Sequence, residues 1–383
     1  MESLDLLKKI VSINSVFPQE AELAHFLAKE LEGIGFEVQM QEFEKNRFNV
    51  LAKRGQGTKY TLFYGHMDTV PAYGYNITGK DPFKLKEIDG KLYGLGAYDM
   101  KAGISATISA LRNSPINKPI KVMFVSDEEA DSRGCYEVTK TDFLKDVDLV
   151  IAGEISDVHD VNEKTRMITL GRRGRAQYKI DVPGKSFHAA RMERAISAVT
   201  IASKIAIEIE KMNKNLPKHK ELSRGNQFVR KFESESISLS IPDSATLLVD
   251  RHLVIPENIE SARLNIQNRI NQMYDRGIII QAEGRRASVS INPREVPYLM
   301  PYITSKDNNK VRLLSNAIKE KTGVSAKYNC GLSVADENLI AMQGIPIISY
   351  GPIGEGEHSS EEWVSKQSYL EMIEVLRLFL NKL

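Results

Sequence analysis

The sequence predicts an α/β protein built on a mixed, mostly parallel sheet flanked by helices, with a smaller α+β domain inserted into it. Three observations carry that expectation. Four short apolar runs bounded by turn residues read as strands buried on both faces. Helical patterns alternate with short strands from the amino terminus to about residue 165, the signature of parallel βαβ units. The texture then changes near Gly171 and reverts after about residue 292. The expected division is an outer, discontinuous domain of residues 1–172 and 292–383 around an inner domain of residues 173–291.

Taken in order, residues 1–9 are amphipathic and acidic early, with no uninterrupted apolar core, which predicts a helix rather than a signal peptide. A second helix spans 21–32 and is ended by Gly33. The first apolar run, 61–64, leads into Gly65-His66-Met67-Asp68, and a small-residue helix over 101–111 follows Asp99-Met100. The run 121–125 leads into Ser126-Asp127-Glu128-Glu129, and 148–152 into Gly153-Glu154. Residues 176–182 alternate like a half-exposed strand, a helical pattern covers 195–212, residues 236–255 offer two strand-like runs, and 259–274 is another amphipathic helix. Two helices on one face of a small antiparallel sheet make the inner α+β domain. Beyond residue 292 come a helix near 310–321 and the run 345–350, which leads through a glycine-rich turn to His358.

With 383 residues, 42% hydrophobic and 27% charged, the chain has ample material for a core. A formal charge of +2 gives no electrostatic reason for a nucleic-acid or anionic-membrane partner. No stretch approaches the roughly 20 apolar residues of a membrane span. Cys135 and Cys330 form neither a disulfide framework nor a C-x-x-C pattern. A cytoplasmic setting is therefore expected, with any metal held by nitrogen and oxygen.

Ligands in open α/β sheets collect outside the carboxyl ends of the strands. On that rule His66, Asp68, Glu128, Glu129, Glu154 and His358 converge, and imidazoles meeting carboxylates suggest a metal site. Each alone reads as a cap or a surface group, but acids gathered this closely repel unless a cation neutralises them. Asp99, in a glycine-rich turn, is either a helix cap or a carboxylate able to bridge two metals. Glu128 and Glu129 are adjacent, so one can bind metal while the other faces the reacting water. Asp68, two residues after His66, can accept the ring proton of a metal-bound imidazole.

At these residues the chain resembles the co-catalytic zinc hydrolases that include acetylornithine deacetylase, succinyl-diaminopimelate desuccinylase, aminoacylase and glutamate carboxypeptidase. The motifs are Gly65-His66-Met67-Asp68-Thr69-Val70-Pro71, Gly94 to Gly103, Asp127-Glu128-Glu129, Gly153-Glu154 and His358. The resemblance implies a zinc-exopeptidase-like fold whose inserted domain is a lid, and two zinc ions per subunit, with cobalt or manganese as substitutes. It places His66 and Glu154 on one ion, Glu129 and His358 on the other, and Asp99 on both. It makes Glu128 the general base and Asp68 the orienter of His66, and it expects a cis peptide between Asp99 and Met100. In Gly184-Lys185-Ser186-Phe187-His188-Ala189-Ala190, His188 would stabilise the oxyanion, from the partner subunit in dimeric members, so a homodimer is expected.

Two positions depart from the family. Leu239 stands where an asparagine is usual, and Asp250-Arg251-His252 replaces Asp-x-Arg, so that either Arg251 or His252 would meet a substrate carboxylate. The run Cys330-Gly331-Leu332-Ser333-Val334-Ala335-Asp336 resembles the family's small-residue substrate loop, which places Asp336 at the substrate. The implied activity is hydrolysis of an N-acyl amino acid, of deacetylase or desuccinylase type, or alternatively of short peptides as a dipeptidase or carboxypeptidase.

Overall fold

Every residue of the strands Tyr60–His66 and Ile120–Val125 is buried, and such strands need partners along both edges. In the computed structural model, Tyr60–His66 pairs in parallel with Ile120–Val125 on one side and Val147–Ala152 on the other. Val147–Ala152 pairs in parallel with Ile347–Ser349. The four apolar runs are thus four neighbouring strands running the same way. An antiparallel hairpin, Glu37–Glu44 and Arg47–Arg54, extends the sheet beyond Ile120–Val125, and Met167–Arg172 with Lys327–Gly331 extends it beyond Ile347–Ser349. The structure describes residues 2–75, 79–115, 117–155, 166–236 and 238–383. Among these, no helix is long and apolar enough to cross a membrane.

The helices of this unit follow from their burial stripes. Ala21–Glu32 buries Leu23, Ala24, Leu27, Ala28 and Leu31, the i, i+4 spacing of one face. Ala102–Arg112 packs against Ser3–Ser12 and against Lys366–Lys382, which in turn packs on Asn309–Thr322.

The chain divides into two compact units, Met1–Arg172 with Ile303–Leu383, and Arg173–Tyr302. The second boundary corrects the sequence expectation, because residues 292–302 belong to the inner unit. Arg175 and Leu299 exchange backbone hydrogen bonds of 2.7 and 3.2 Å, Asn292 N donates to Gln177 O at 2.9 Å, and the Tyr298 hydroxyl donates to Asn292 O at 2.7 Å.

The inner unit is an antiparallel sheet in the order Asn226–Glu233, Ser244–Leu253, Gly174–Pro183, Ser288–Ile291. Gly174–Pro183 alternates buried and half-buried residues along its whole length. Its buried Tyr178 and Ile180 share one core with Ile201 and Ile205 of the helix Ala198–Met212 and Ile266 and Ile270 of Ile259–Asp275. A reciprocal cap starts the latter helix: Ser261 N donates to Asn258 Oδ1 at 2.8 Å and Asn258 N to Ser261 Oγ at 2.9 Å. The strand preceding Ser244–Leu253 begins at Asn226 rather than after residue 236, because an edge strand is free to be polar.

Candidate metal centre

His66 ends the strand Tyr60–His66, Glu154 lies two residues beyond Val147–Ala152, and Glu128 and Glu129 sit in the turn beyond Ile120–Val125. Asp99 comes from a single irregular turn, Ala97–Lys101, in which the Asp99–Met100 peptide is cis. That turn requires glycine at its start: Gly96 has φ +68°, and a β-carbon there would lie 2.4 Å from Thr69 Cγ2.

The two Asp99 oxygens face different histidines. Oδ1 lies 3.0 Å from His66 Nε2 and Oδ2 lies 3.5 Å from His358 Nε2. His66 Nε2 is in turn 3.5 Å from Glu154 Oε2, and His358 Nε2 is 3.1 Å from Glu129 Oε2. Two groups result, His66 with Asp99 and Glu154, and Asp99 with Glu129 and His358, each with potential ligand atoms within 4.8 Å of one another. His66, Asp99 and Glu154 are buried, whereas the His358 side chain is 51% exposed.

The electrostatics are those of crowded acids. Burial pushes Glu128 well above the usual carboxylate range, and Asp336, Glu129 and Glu154 add to this against the opposing pull of His66. Burial and Asp99 do the same to Glu154. Burial would raise Asp99 too, but its hydrogen bonds to His358 and His66 hold it well below. Those to Asp99 and Glu129 raise His358 to about 10. Among the described residues, Glu154 Oε2 is buried with no hydrogen-bond partner. A buried carboxylate oxygen beside the His66 imidazole nitrogen is what a divalent cation would satisfy, and this oxygen and nitrogen set suits zinc.

At Asp68 the backbone carbonyl lies nearer the His66 ring than the carboxylate does. His66 Nδ1 donates to the Asp68 backbone carbonyl at 3.0 Å, which leaves Nε2 facing Asp99 and Glu154. The Asp68 carboxylate is 3.8 Å from Nδ1, and its Oδ2 accepts from Glu129 N at 2.9 Å. Asp68 therefore touches both the histidine and the glutamate turn. Sequence reasoning missed Arg47, which donates to Asp127 and Glu20, and the buried Glu362, which accepts from Gly96, Tyr98 and Asp99 amides. The only signal for Glu362 was its place four residues after His358.

Asp336 does not line an open surface. It is fully buried, its Oδ2 accepts from the Tyr64 hydroxyl at 2.9 Å, and burial raises it to about 7. Arg251 is likewise inside the inner unit, 1% exposed, paired with Glu257 and donating to Gln227 at 3.1 Å and Asn265 at 3.0 Å. At these two positions the structure shows internal partners: Tyr64 for one Asp336 oxygen, and Glu257, Gln227 and Asn265 for the terminal nitrogens of Arg251. His252 lies on the opposite face of the same strand, in register with Arg175, and burial lowers its pKa. His188 is exposed in the inner unit, and its Nδ1 accepts from Ala190 N at 3.1 Å. Leu239 is 73% exposed, and its backbone carbonyl accepts from Ala189 N at 2.9 Å.

Comparison with known proteins bears on this arrangement. The sequence model of Peptidase family M20/M25/M40 matches residues 62–382. Succinyl-diaminopimelate desuccinylase of Wolbachia pipientis subsp. Culex pipiens is 26% identical over 394 aligned positions, covering 100% of this chain and 93% of that enzyme. Aminopeptidase PepT from Bacillus cereus superposes with a TM-score of 0.77 at 21% identity, covering 99% of this chain and 97% of its own. Bacillus subtilis YXEP protein, described as a dinuclear metal-binding peptidase from the M20 family, gives a TM-score of 0.69 at 13% identity, covering 99% and 96%.

Proposed function

The chain belongs to peptidase family M20/M25/M40 and is a hydrolase of amide or peptide bonds, and from that premise we propose that it is a two-zinc amidohydrolase cleaving an N-acyl amino acid. The observation that carries the reading is Asp99, whose two oxygens face His66 and His358 separately. In this reading His66 and Glu154 hold one ion, Glu129 and His358 hold the other, and Asp99 holds both. Zinc, or cobalt or manganese on the same ligands, would supply Lewis acidity, activating water and polarising the acyl carbonyl.

The chain's own groups do the rest. Glu128 takes a proton from the attacking water and returns it to the leaving amine, a role suited to a carboxyl raised by burial. Asp68 fixes the His66 ring through its carbonyl and the Glu129 backbone through its carboxylate. His188 donates to the developing oxyanion. With Arg251 engaged by Glu257, His252 is the group that meets the substrate carboxylate. A homodimer formed through the inner unit is part of the reading. It is supported by Phe228 and Phe232, 44% and 40% exposed on that unit's edge strand.

Desuccinylation is favoured over peptidase action because a desuccinylase aligns along the whole chain. The peptidase reading rests on structural neighbours such as PepT. A screen of the zinc-, cobalt- and manganese-supplemented protein over N-succinyl amino acids, N-acetyl amino acids and dipeptides separates them. Turnover of the acylated amino acids is expected; cleavage of dipeptides alone would replace the reading with the peptidase one.

A further inference from the structure

The turn that presents Asp99 is held by one side chain from a distant part of the chain. Glu362 is 1% exposed, and its Oε2 accepts from Gly96 N at 2.8 Å while its Oε1 accepts from Tyr98 N at 2.8 Å and Asp99 N at 3.0 Å. Three buried backbone donors converge on one carboxylate, and charge-assisted bonds of this kind are strong and directional. The segment carrying Glu362 is itself fixed against the turn. Trp363–Ser365 pairs antiparallel with Lys91–Tyr93, and a β-carbon on Gly354 would lie 2.4 Å from the Tyr98 ring. The same segment carries His358 four residues earlier. One loop therefore supplies a histidine to the centre and also clamps the backbone of the carboxylate facing that histidine.

We propose that Glu362 is a positioning residue for the metal centre, setting the backbone of the Asp99 turn so that the Asp99 carboxylate spans both histidines. The inference rests on the reading of Asp99 as a ligand shared by two cations. Its chemistry is specific to a carboxylate. A glutamine can offer one acceptor oxygen where the turn needs two, and its amide NH2 would face a donor. An aspartate keeps the charge but withdraws it by one methylene.

The test is a titration of the metal-free full chain with Zn2+ and with Co2+, following binding directly, for wild type, Glu362→Gln, Asp99→Asn and the double variant. Partners that orient metal ligands typically contribute about 10- to 100-fold in metal affinity. Glu362→Gln is expected to weaken binding by at least about tenfold, and to add little in the Asp99→Asn background, because it acts through Asp99. Glu362→Asp should give the same pattern, which covers the case in which the glutamine variant does not fold. Unchanged affinity in Glu362→Gln, with Asp99→Asn weakened, would overturn the positioning role while leaving the shared ligand intact. An equal loss in both backgrounds would also overturn it, marking Glu362 as a general support. Unaltered affinity in Asp99→Asn would instead sink the shared-ligand reading itself.

Discussion

Arg47 donates to Glu20 at 2.6 Å and to Asp127 at 2.7 Å, and all three side chains are buried. Its guanidinium also lies over the Phe17 ring, 4.7 Å from the centroid. Asp127, in the left-handed region at φ +78°, further accepts from Arg133 N at 3.0 Å, so the residue preceding Glu128 is held on several sides. Arg47→Ala would take the counter-charge from the buried Glu20 and leave Asp127 with the Arg133 guanidinium alone, and unfolding by denaturant is expected to show a loss of about 3–5 kcal/mol. A loss under about 1 kcal/mol, the size of an exposed pair, would show that solvent already compensates these charges. Residues of this kind were not legible in the sequence. Arg47 finds Asp127 80 positions away, and no local pattern announces such a pairing. Among the grouped acids and histidines, His66, Glu129, Glu154 and His358 were legible because each comes after an apolar run, and Asp99 because it sits in a glycine-rich turn. Which of Arg251 and His252 turns inward was not legible: the two-residue period of the strand sets Arg251 beside Glu257 and His252 on the other face.

Among the elements, the helix Ala102–Arg112 and the strand Val147–Ala152 meet through glycine. A β-carbon on Gly103 would stand 2.0 Å from the carbonyl oxygen of Gly153, the residue before Glu154. Gly103→Ala must therefore push the helix and this backbone apart, at roughly 1–3 kcal/mol as for other overpacked cores. The expected outcome is a lower melting temperature together with weaker metal retention, because Glu154 moves with its neighbour. A variant that melts like wild type and keeps its metal would show that the contact relaxes freely. Periodicity placed most helices within a few residues, including Ala21–Glu32 with its Gly33 stop. It did not mark Lys366–Lys382, nor the polar edge strand Asn226–Glu233, where half-exposure leaves the apolar pattern weak.

At the scale of the molecule, one chain builds two units by leaving the first at Arg172 and returning to it at Ile303. The change of texture marks the departure well, because Gly174–Pro183 alternates from its first residue. It marks the return poorly, because residues 292–302 hold to the inner unit by hydrogen bonds without forming a long element. The grouped potential ligands, His66, Asp99, Glu129, Glu154 and His358, belong to the outer unit, drawn from both of its segments. The account stands on that unit binding two cations while Glu128 moves the proton. Turnover of an N-acyl amino acid by Glu128→Gln, with metal counted in the same sample, tests this most directly. The account predicts two ions per chain, as in wild type, and a fall in turnover of roughly a thousandfold, within the usual range for loss of a general base. Turnover near the wild-type level in the metal-loaded variant would contradict it.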